Sequence, residues 1–110
     1  MIVSTTNFIA GHRVKQTLGE VFGVVVRSRG LGYNIVASLR ALGGGEIKEY
    51  TSLLESARQQ AVERMVERAA ALGGNAVLTM RFDSSEIGTI MSEVVAYGTA
   101  VVVEPAQQEG

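Results

Sequence analysis

Residues 46–72 read EIKEYTSLLESARQQAVERMVERAAAL. Apolar residues recur in this segment at steps of three and four, which places them on one face of an α-helix. They are Ile47, Tyr50, Leu54, Ala57, Ala61, Met65, Ala69 and Leu72. Glu46 and Glu49 fall in the first turn, where the helix dipole favours acidic side chains, and Gly73-Gly74 can supply the left-handed residue that ends a helix. We therefore predict one long amphipathic helix over residues 46–72.

Extended segments lie on both sides of this helix. The predicted strands are Ile2–Thr5, His12–Arg27, Ala76–Phe82 and Met91–Glu104. The second should consist of two arms that meet near Leu18-Gly19, and a short helix over residues 31–42 should follow it. The last two strands should form a hairpin whose turn is Asp83–Ile90. This order predicts an α+β fold, with a mostly antiparallel sheet and the helices on one side.

Length and composition restrict the class of protein. A chain of 110 residues forms one domain, which we assign to residues 1–104, with a flexible tail over 105–110. Ten Lys and Arg against eleven Asp and Glu give a net charge of -1, which supplies no general attraction for nucleic acid or anionic membranes. The longest uncharged apolar stretch, Val94–Val103, is about half as long as a membrane-spanning helix. We therefore expect a cytoplasmic protein without a nucleic-acid or membrane partner.

Both faces of the final strand are apolar. Alternate side chains point to opposite faces: Val94, Ala96, Gly98, Ala100 and Val102 on one, Val95, Tyr97, Thr99, Val101 and Val103 on the other. The segment Glu20–Val26 repeats this pattern. One chain has helices enough for one face of such a sheet, and monomers seldom expose large apolar patches. We therefore predict a homo-oligomer.

Four short segments, taken in order, resemble the YbjQ family. They are Ser4-Thr5-Thr6, Gly44-Gly45-Glu46 with Tyr50, Leu72-Gly73-Gly74-Asn75-Ala76-Val77 and Ala96-Tyr97-Gly98-Thr99-Ala100-Val101. That family is largely uncharacterised and often carries the label of a heavy-metal-binding domain. Gly74 departs from the family, which more often has alanine there. The resemblance implies a β-α-β-β subunit, similar in shape to dodecin subunits, that closes into a ring, in the form of a pentamer. It implies no established catalytic residues.

The heavy-metal label can be tested against the ligands that the chain offers. Soft metals prefer thiolate, thioether or imidazole groups, and zinc sites usually have four ligands. The chain has no cysteine, one histidine (His12) and four scattered methionines. Asp83 and Glu86 offer oxygens suited to Ca²⁺ or Mg²⁺, but a solvated turn is the simpler interpretation. We therefore predict no metal site and no cofactor.

A site for a phosphate or nucleotide-type anion is an alternative. Gly30 and Gly32 follow an apolar strand and open a helix, where free N–H groups can hold an anion, and Arg27 and Arg29 lie beside them. The third glycine of the dinucleotide fingerprint is replaced by Ile35. Simple chain reversal accounts for these glycines equally well.

No catalytic constellation stands out, so we predict a non-enzymatic protein. A serine triad would have to use His12, and no G-x-S-x-G run occurs. The remaining ligand or interface candidates are polar residues in the family-like segments, for which a structural role is the simpler alternative. They are Ser4, Thr5, Thr6, Tyr50 and Asn75.

Overall fold

A computed structural model of the chain describes residues 1–28, 48–87 and 91–106. The elements are β1 (Ile2–Val3), β2 (His12–Ser28), α1 (Lys48–Ala71), β3 (Ala76–Ile87) and β4 (Met91–Pro105). The strands form one sheet in the order β1-β3-β4-β2. β1 runs parallel to β3, and the other neighbours are antiparallel. The α+β prediction, with one long helix and a mostly antiparallel sheet, is confirmed. The predicted short helix over 31–42 lies outside the described residues.

Helix α1 packs small side chains against the sheet. Its buried residues are Ala57, Ala61, Met65 and Ala69, four of the predicted apolar face. They pack against Val21 and Val25 of β2 and Val94, Ala96 and Ala100 of β4. Gly73 follows the helix with a φ of 91°, the left-handed residue that the glycine pair predicted. The helix therefore covers one side of the sheet, called here the inner face; the opposite side is the outer face.

Strand β2 differs from its prediction. It is one strand of 17 residues rather than two arms, and it pairs with β4 from His12 opposite Pro105 to Ser28 opposite Met91. Register shifts between Val14 and Gln16 and between Thr17 and Gly19 take the place of the predicted corner. Gly19 adopts a φ of 122°, which allows an irregularity without a reversal of the chain. Because each shift exchanges the two faces, the second restores the alternation that the first breaks.

The hairpin of β3 and β4 is confirmed, but β3 is longer than predicted. It continues through Asp83–Glu86 to Ile87, and these polar residues pair with β4 down to Ile87 opposite Met91. The predicted turn is therefore wrong over 83–87, while residues 88–90 lie outside the described part. At the other end β4 includes Pro105, and the N–H of Ala106 donates to the carbonyl of Gly11 at 2.9 Å. The rest of the predicted tail, 107–110, is not described.

A β-bulge in β3 determines which of its residues face α1. Leu78 pairs with Thr99 and the next pair is Arg81 with Tyr97, so two residues, Thr79 and Met80, lie opposite one. Thr79 has a φ of 54°, which is unusual for a β-branched residue. Beyond the bulge the faces exchange. Met80 and Phe82 pack towards the core under α1, and Arg81 comes to the outer face.

The outer face is only partly covered. A second cluster of Ala76, Leu78, Val101 and Val103, with Ile9 packed against it, fills one end. Further along, Phe22, Val26 and Tyr97 keep 42%, 51% and 40% of their surface exposed. The molecule measures 63 × 26 × 15 Å, and its short dimension leaves room for one sheet and one helix layer. Residues 1–28, 48–87 and 91–106 thus shield one face of the sheet well and the other poorly.

Candidate functional site

The outer face carries a row of planar side chains across three strands. Phe22 of β2 pairs with Tyr97 of β4, which pairs in turn with Arg81 of β3. Residues directly opposite one another project to the same side of a sheet. With strands about 4.8 Å apart, the row from Phe22 to Arg81 is about 10 Å long at the Cα atoms. We call these three residues the outer-face row.

Phe22 and Tyr97 form a non-hydrogen-bonded pair, the type of antiparallel pair in which side chains come closest. The Val24 carbonyl accepts a hydrogen bond from Nη1 of Arg64 at 2.6 Å, so it points away from β4. Phe22, two residues earlier, has the same backbone orientation. The Phe22–Tyr97 pair is therefore not bridged by backbone hydrogen bonds, and in such pairs the Cα atoms are about 4.5 Å apart. Two exposed aromatic residues thus project from neighbouring positions of the outer face.

Arg68 adds a positive charge at the β2 end of the row. Its guanidinium carbon lies 4.7 Å from the centroid of the Phe22 ring, within the range of a cation–π contact. Arg68 belongs to the last turn of α1 and reaches the edge of the sheet. An open groove of about 290 Å³ adjoins this contact. It is lined by Glu20, Val21, Phe22, Arg68, Ala71 and Leu72.

Arg81 is anchored at the other end of the row. Its Nη1 donates to the carbonyls of Thr5 and Met80, both at 2.8 Å. An arginine has five N–H donors, so the remaining ones can still serve an acceptor. Thr5 is exposed, and its backbone carbonyl is the group that contacts this guanidinium. Of the predicted polar residues, Thr5 is the one that lies near an available charge.

The hydroxyl groups of Ser4 and Thr6 hold the turn that presents Thr5. The Thr6 hydroxyl donates to the Phe8 carbonyl at 2.5 Å, and the Ser4 hydroxyl lies 2.5 Å from the Thr6 hydroxyl. Because a hydroxyl has one proton, the Ser4 hydroxyl must be the donor in that pair. The N–H of Thr6 in turn donates to the Ser4 oxygen at 3.1 Å. These two residues therefore build the turn.

Asn75 has a structural environment. Its Nδ2 donates to the Val103 carbonyl at 2.9 Å, and its Oδ1 accepts from the Val103 N–H at 2.7 Å. The side chain thus satisfies both backbone groups of one residue of β4, as a neighbouring strand would. Its backbone N–H donates to Val101 and its carbonyl accepts from Ile2. Asn75 joins the first and last strands at one end of the sheet.

Tyr50 lies at the N-terminal end of α1, at the opposite end of the helix from Asn75. It is in the first turn of α1, one turn before Leu54, which lines a cleft with Ser84–Glu86 and Ser92–Val94 near the hairpin end. The helix between Tyr50 and the Asn75 end is about 30 Å long. A single chain therefore does not bring Tyr50 and Asn75 together. Their predicted meeting at a subunit boundary stays a prediction.

Arg27 is the described member of the predicted anion site. Its Nη2 donates to Oε1 of Gln60 at 2.8 Å, and an open cleft of about 280 Å³ lies beside it. Ser56, Gln59, Gln60 and Glu63 line this cleft with Arg27. The Glu63 carboxylate would repel an anion there. Arg29, Gly30 and Gly32 lie outside the described residues.

The described residues do not fit a heavy-metal site. His12 places Nδ1 3.1 Å from the Ala10 carbonyl, which can only accept, so one imidazole nitrogen remains for a metal. Among residues 1–28, 48–87 and 91–106, no three His, Cys, Asp or Glu side chains group in a way that could hold a metal ion. Asp83 accepts from the N–H of Ser84, and Glu93 accepts from the Ser85 hydroxyl.

Among residues 1–28, 48–87 and 91–106, no helix is both long and apolar enough to span a membrane.

The outer-face row is not evident from the sequence. Phe22 and Tyr97 fit the apolar faces of their strands without indicating a common partner, and no pattern singles out Arg81. The alternation along Glu20–Val26 does place Phe22 opposite the side of Val21 and Val25. The position of Arg81, however, depends on the bulge at Thr79 and Met80, for which the sequence has no glycine signal.

Comparison with known proteins identifies the family. The YbjQ_1 family model, described as "Putative heavy-metal-binding", matches residues 1–104. A UPF0145 protein of Bradyrhizobium sp. (strain ORS 278) is 59% identical over 107 residues, which are 97% of this chain and 96% of the relative. A UPF0145 protein of Thermoplasma volcanium is 53% identical over 109 residues, 99% of this chain and 89% of the relative.

A solved structure supports the fold. The crystal structure of a protein of unknown function from Pediococcus pentosaceus ATCC 25745, placed in the DUF74 family, matches with a TM-score of 0.58. The match covers 94% of this chain and 98% of the other at 17% identity, a level that speaks for the fold alone. Since the family model spans residues 1–104 and the relatives share more than half of their residues, the predicted resemblance is confirmed and this chain belongs to the YbjQ family.

Proposed function

We propose that this chain is a non-enzymatic protein that works as an assembly of its own copies. The observation that carries this proposal is the position of β2. This strand of 17 residues lies at the edge of the sheet and, in the part of the chain that the structure describes, pairs with β4 alone. Long edge strands present rows of N–H and C=O groups that pair readily with another chain.

Two arginine side chains of α1 cover the outward-pointing edge of β2. Arg64 of α1 donates to the Val24 carbonyl, and Arg68 covers Phe22 two residues earlier. Helix residues four apart thus meet strand residues two apart, because both steps are about 6 Å long. These arginines occupy the edge in a single chain and give it a positive character.

The opposite side of the sheet has an open edge of opposite charge. β1 and the segment after it bond β3 as far as Met80, whose N–H donates to the Ser4 carbonyl at 3.0 Å. Within the described residues, Arg81–Ile87 has a strand on one side alone. This stretch carries the exposed carboxylates of Asp83 and Glu86. Pairing of this edge with the β2 edge of a second copy would match acidic with basic side chains.

Such head-to-tail pairing of two different edges is heterologous. Heterologous contacts close into rings when the rotation between copies allows it, and the pentamer implied by the family resemblance is one such ring. The exposed Val26 of β2, on the outer face, would come nearer to a neighbouring copy and lose contact with water. The edge contact would thus shield the outer face near β2 and leave Tyr97, on the interior strand β4, exposed.

Native mass spectrometry and sedimentation equilibrium test this proposal. The Val24 and Ser84 N–H groups both point away from β4, as the bonds of the Val24 carbonyl and the Ser84 N–H show. Proline at either position removes an outward donor and no donor of the chain's own ladder. We expect V24P and S84P each to dissociate the assembly, while V24T and S84A keep it. A wild-type protein that sediments as a single chain would refute the proposal.

Heavy-metal binding remains the alternative named by the family description. It rests on that description, since the described residues supply no ligand set for a soft metal. Anion binding beside Arg27 is opposed by Glu63. A cytoplasmic location remains a prediction from composition. Self-assembly is therefore the function that the geometry favours.

A further inference from the structure

We propose that the outer-face row binds a planar aromatic anion, of the class of a nucleoside monophosphate. The row offers two kinds of contact in one line: the rings of Phe22 and Tyr97, then the guanidinium of Arg81. Exposed aromatic side chains on neighbouring strands are a surface on which flat rings stack, because every nucleobase has a π face. All the groups belong to one chain, so the site does not depend on the proposed assembly.

The aromatic end of the outer-face row is exposed to solvent, and one of its rings is held in place by a neighbouring side chain. Phe22 and Tyr97 keep 42% and 40% of their surface exposed, although both lie within the sheet. The Arg68 guanidinium lies over one face of the Phe22 ring, 4.7 Å from its centroid, and holds that ring in place. A base would therefore stack on the other face of Phe22 and on Tyr97.

The anionic end is set by Arg81 and Thr5. Two bonds of Arg81 Nη1, to the Thr5 and Met80 carbonyls, hold the guanidinium in place and leave its other donors for a ligand. A planar guanidinium binds phosphate oxygens in pairs. The separation of about 10 Å between Phe22 and Arg81 corresponds to two strand spacings. A base, a sugar and one phosphate bridge such a distance.

The bulge at Thr79 and Met80 is what creates this arrangement. If the ladder continued regularly past Leu78 with no bulge, Met80 would stand opposite Tyr97, and Arg81 would point under α1. The chain instead keeps a threonine at a φ of 54°. Bulges that aim a side chain are frequent beside functional sites. The chain thus accepts local strain where the charge of the row is placed.

The neighbouring carboxylates limit the ligand to a small charge. Glu20 precedes Phe22 by two residues and lines the groove with Arg68, and Asp83 follows Arg81 by two residues on the same face. A chain of phosphates would approach these groups and be repelled. One phosphate beside Arg81 and Thr5 avoids both. These charges favour a monophosphate over a triphosphate or a nucleic-acid strand.

Isothermal titration of the full chain with AMP, UMP, GMP and CMP tests the proposal. Adenosine retains the ring and lacks the charge, while ribose 5-phosphate retains the charge and lacks the ring. We expect saturable binding of at least one monophosphate, at least tenfold tighter than that of either fragment. Tyr97→Thr and Arg81→Met should each weaken binding at least tenfold. Val26→Thr, at an equally exposed position of the outer face but outside the row, should leave it unchanged.

Three outcomes would overturn the inference. One is the absence of saturable binding for all four monophosphates. Another is an equal effect of Y97T and V26T in proteins that circular dichroism shows to be folded. The third is binding by the edge variant V24P and not by the wild type, which would assign the outer face to a second copy. Sedimentation of the same samples reports the assembly independently, so loss of ligand binding and loss of assembly are told apart.

Discussion

Replacement of Gly23 by alanine should separate the helix from the sheet. Gly23 lies on the inner face of β2, directly under α1. A Cβ atom built there would lie 2.1 Å from the Ala61 carbonyl oxygen and 2.6 Å from the Met65 nitrogen. Both are backbone atoms of the helix, so no side-chain rotation can relieve the contact. To restore an ordinary distance of 3.4 Å, the helix would have to move away by about 1.3 Å, the difference between 3.4 and 2.1 Å.

The expected free-energy cost follows from two effects of this displacement. Forcing an additional methyl group into a packed core usually costs about 1–3 kcal/mol. The retreat of α1 would also loosen the contacts of its buried face, in particular those of Ala57 and Met65 with the sheet. Against this, alanine restricts the unfolded chain and returns about 0.4–1 kcal/mol. We expect a net decrease of about 1–2.5 kcal/mol in the free energy of unfolding.

Urea unfolding followed by far-UV circular dichroism measures this change. Protein concentration must be the same for all variants, because assembly contributes to apparent stability. Gly74→Ala is the matched control, since its Cβ would lie 3.1 Å from the nearest atom, the Ala69 carbonyl oxygen, and neighbours need to shift by only a few tenths of an ångström. A G23A protein within about 0.5 kcal/mol of the wild type would refute the close approach of helix and strand.

Two further substitutions test the backbone roles assigned above. Asn75→Ala leaves the N–H and carbonyl of the buried Val103 without their partner and should lower the free energy of unfolding by about 1–3 kcal/mol. Asn75→Asp is the control, since it retains one of the two bonds. Equal stability of N75A and the wild type in urea would contradict the pairing. At Thr79, T79G should be more stable than T79A by about 1 kcal/mol, because alanine at positive φ has a steric cost that glycine lacks. The opposite order in thermal unfolding would show that the bulge does not have this conformation.

The elements with a strong internal period were predicted well. Helix α1 shows its apolar face at steps of three and four and ends at Ala71, next to the predicted end at Leu72. β4 begins at Met91 as predicted and ends at Pro105, one residue later than predicted. In both, the residues that form the element also form its core contacts. Local pattern and tertiary packing therefore agree.

The errors occur where pairing with β4 overrides local preference. Asp83–Glu86 has the composition of a turn, yet it pairs with β4 in a regular ladder. Gly19 suggested a corner, but glycine at a φ of 122° serves equally in a bulge within a continuous strand. A partner strand of 15 residues holds both segments extended. A single sequence does not show the length of the partner.

The candidate site could be predicted only in part. Ser4, Thr5 and Thr6 are candidates from the sequence because they are polar residues of a family-like segment. The bonds that engage two of their three hydroxyls are local ones that side-chain chemistry suggests. The outer-face row needs the register between β3 and β4. That register shifts by one residue at an ordinary Thr-Met pair. No periodic pattern marks the shift.

The bulge makes this strand tolerant of one particular deletion. Removing Thr79 alone would leave Met80 as the one residue opposite Gly98, so Arg81 would still stand opposite Tyr97 and every residue from Arg81 to Ile87 would keep its side of the sheet. If the bulge instead closed with Thr79 kept in a regular ladder, Arg81 and Asp83 would enter the space beneath the helix as charged groups without partners, and Phe82 would turn to water. Within this family, chains that are one residue shorter at this position should therefore keep both faces of β3, with a plain ladder in place of the bulge.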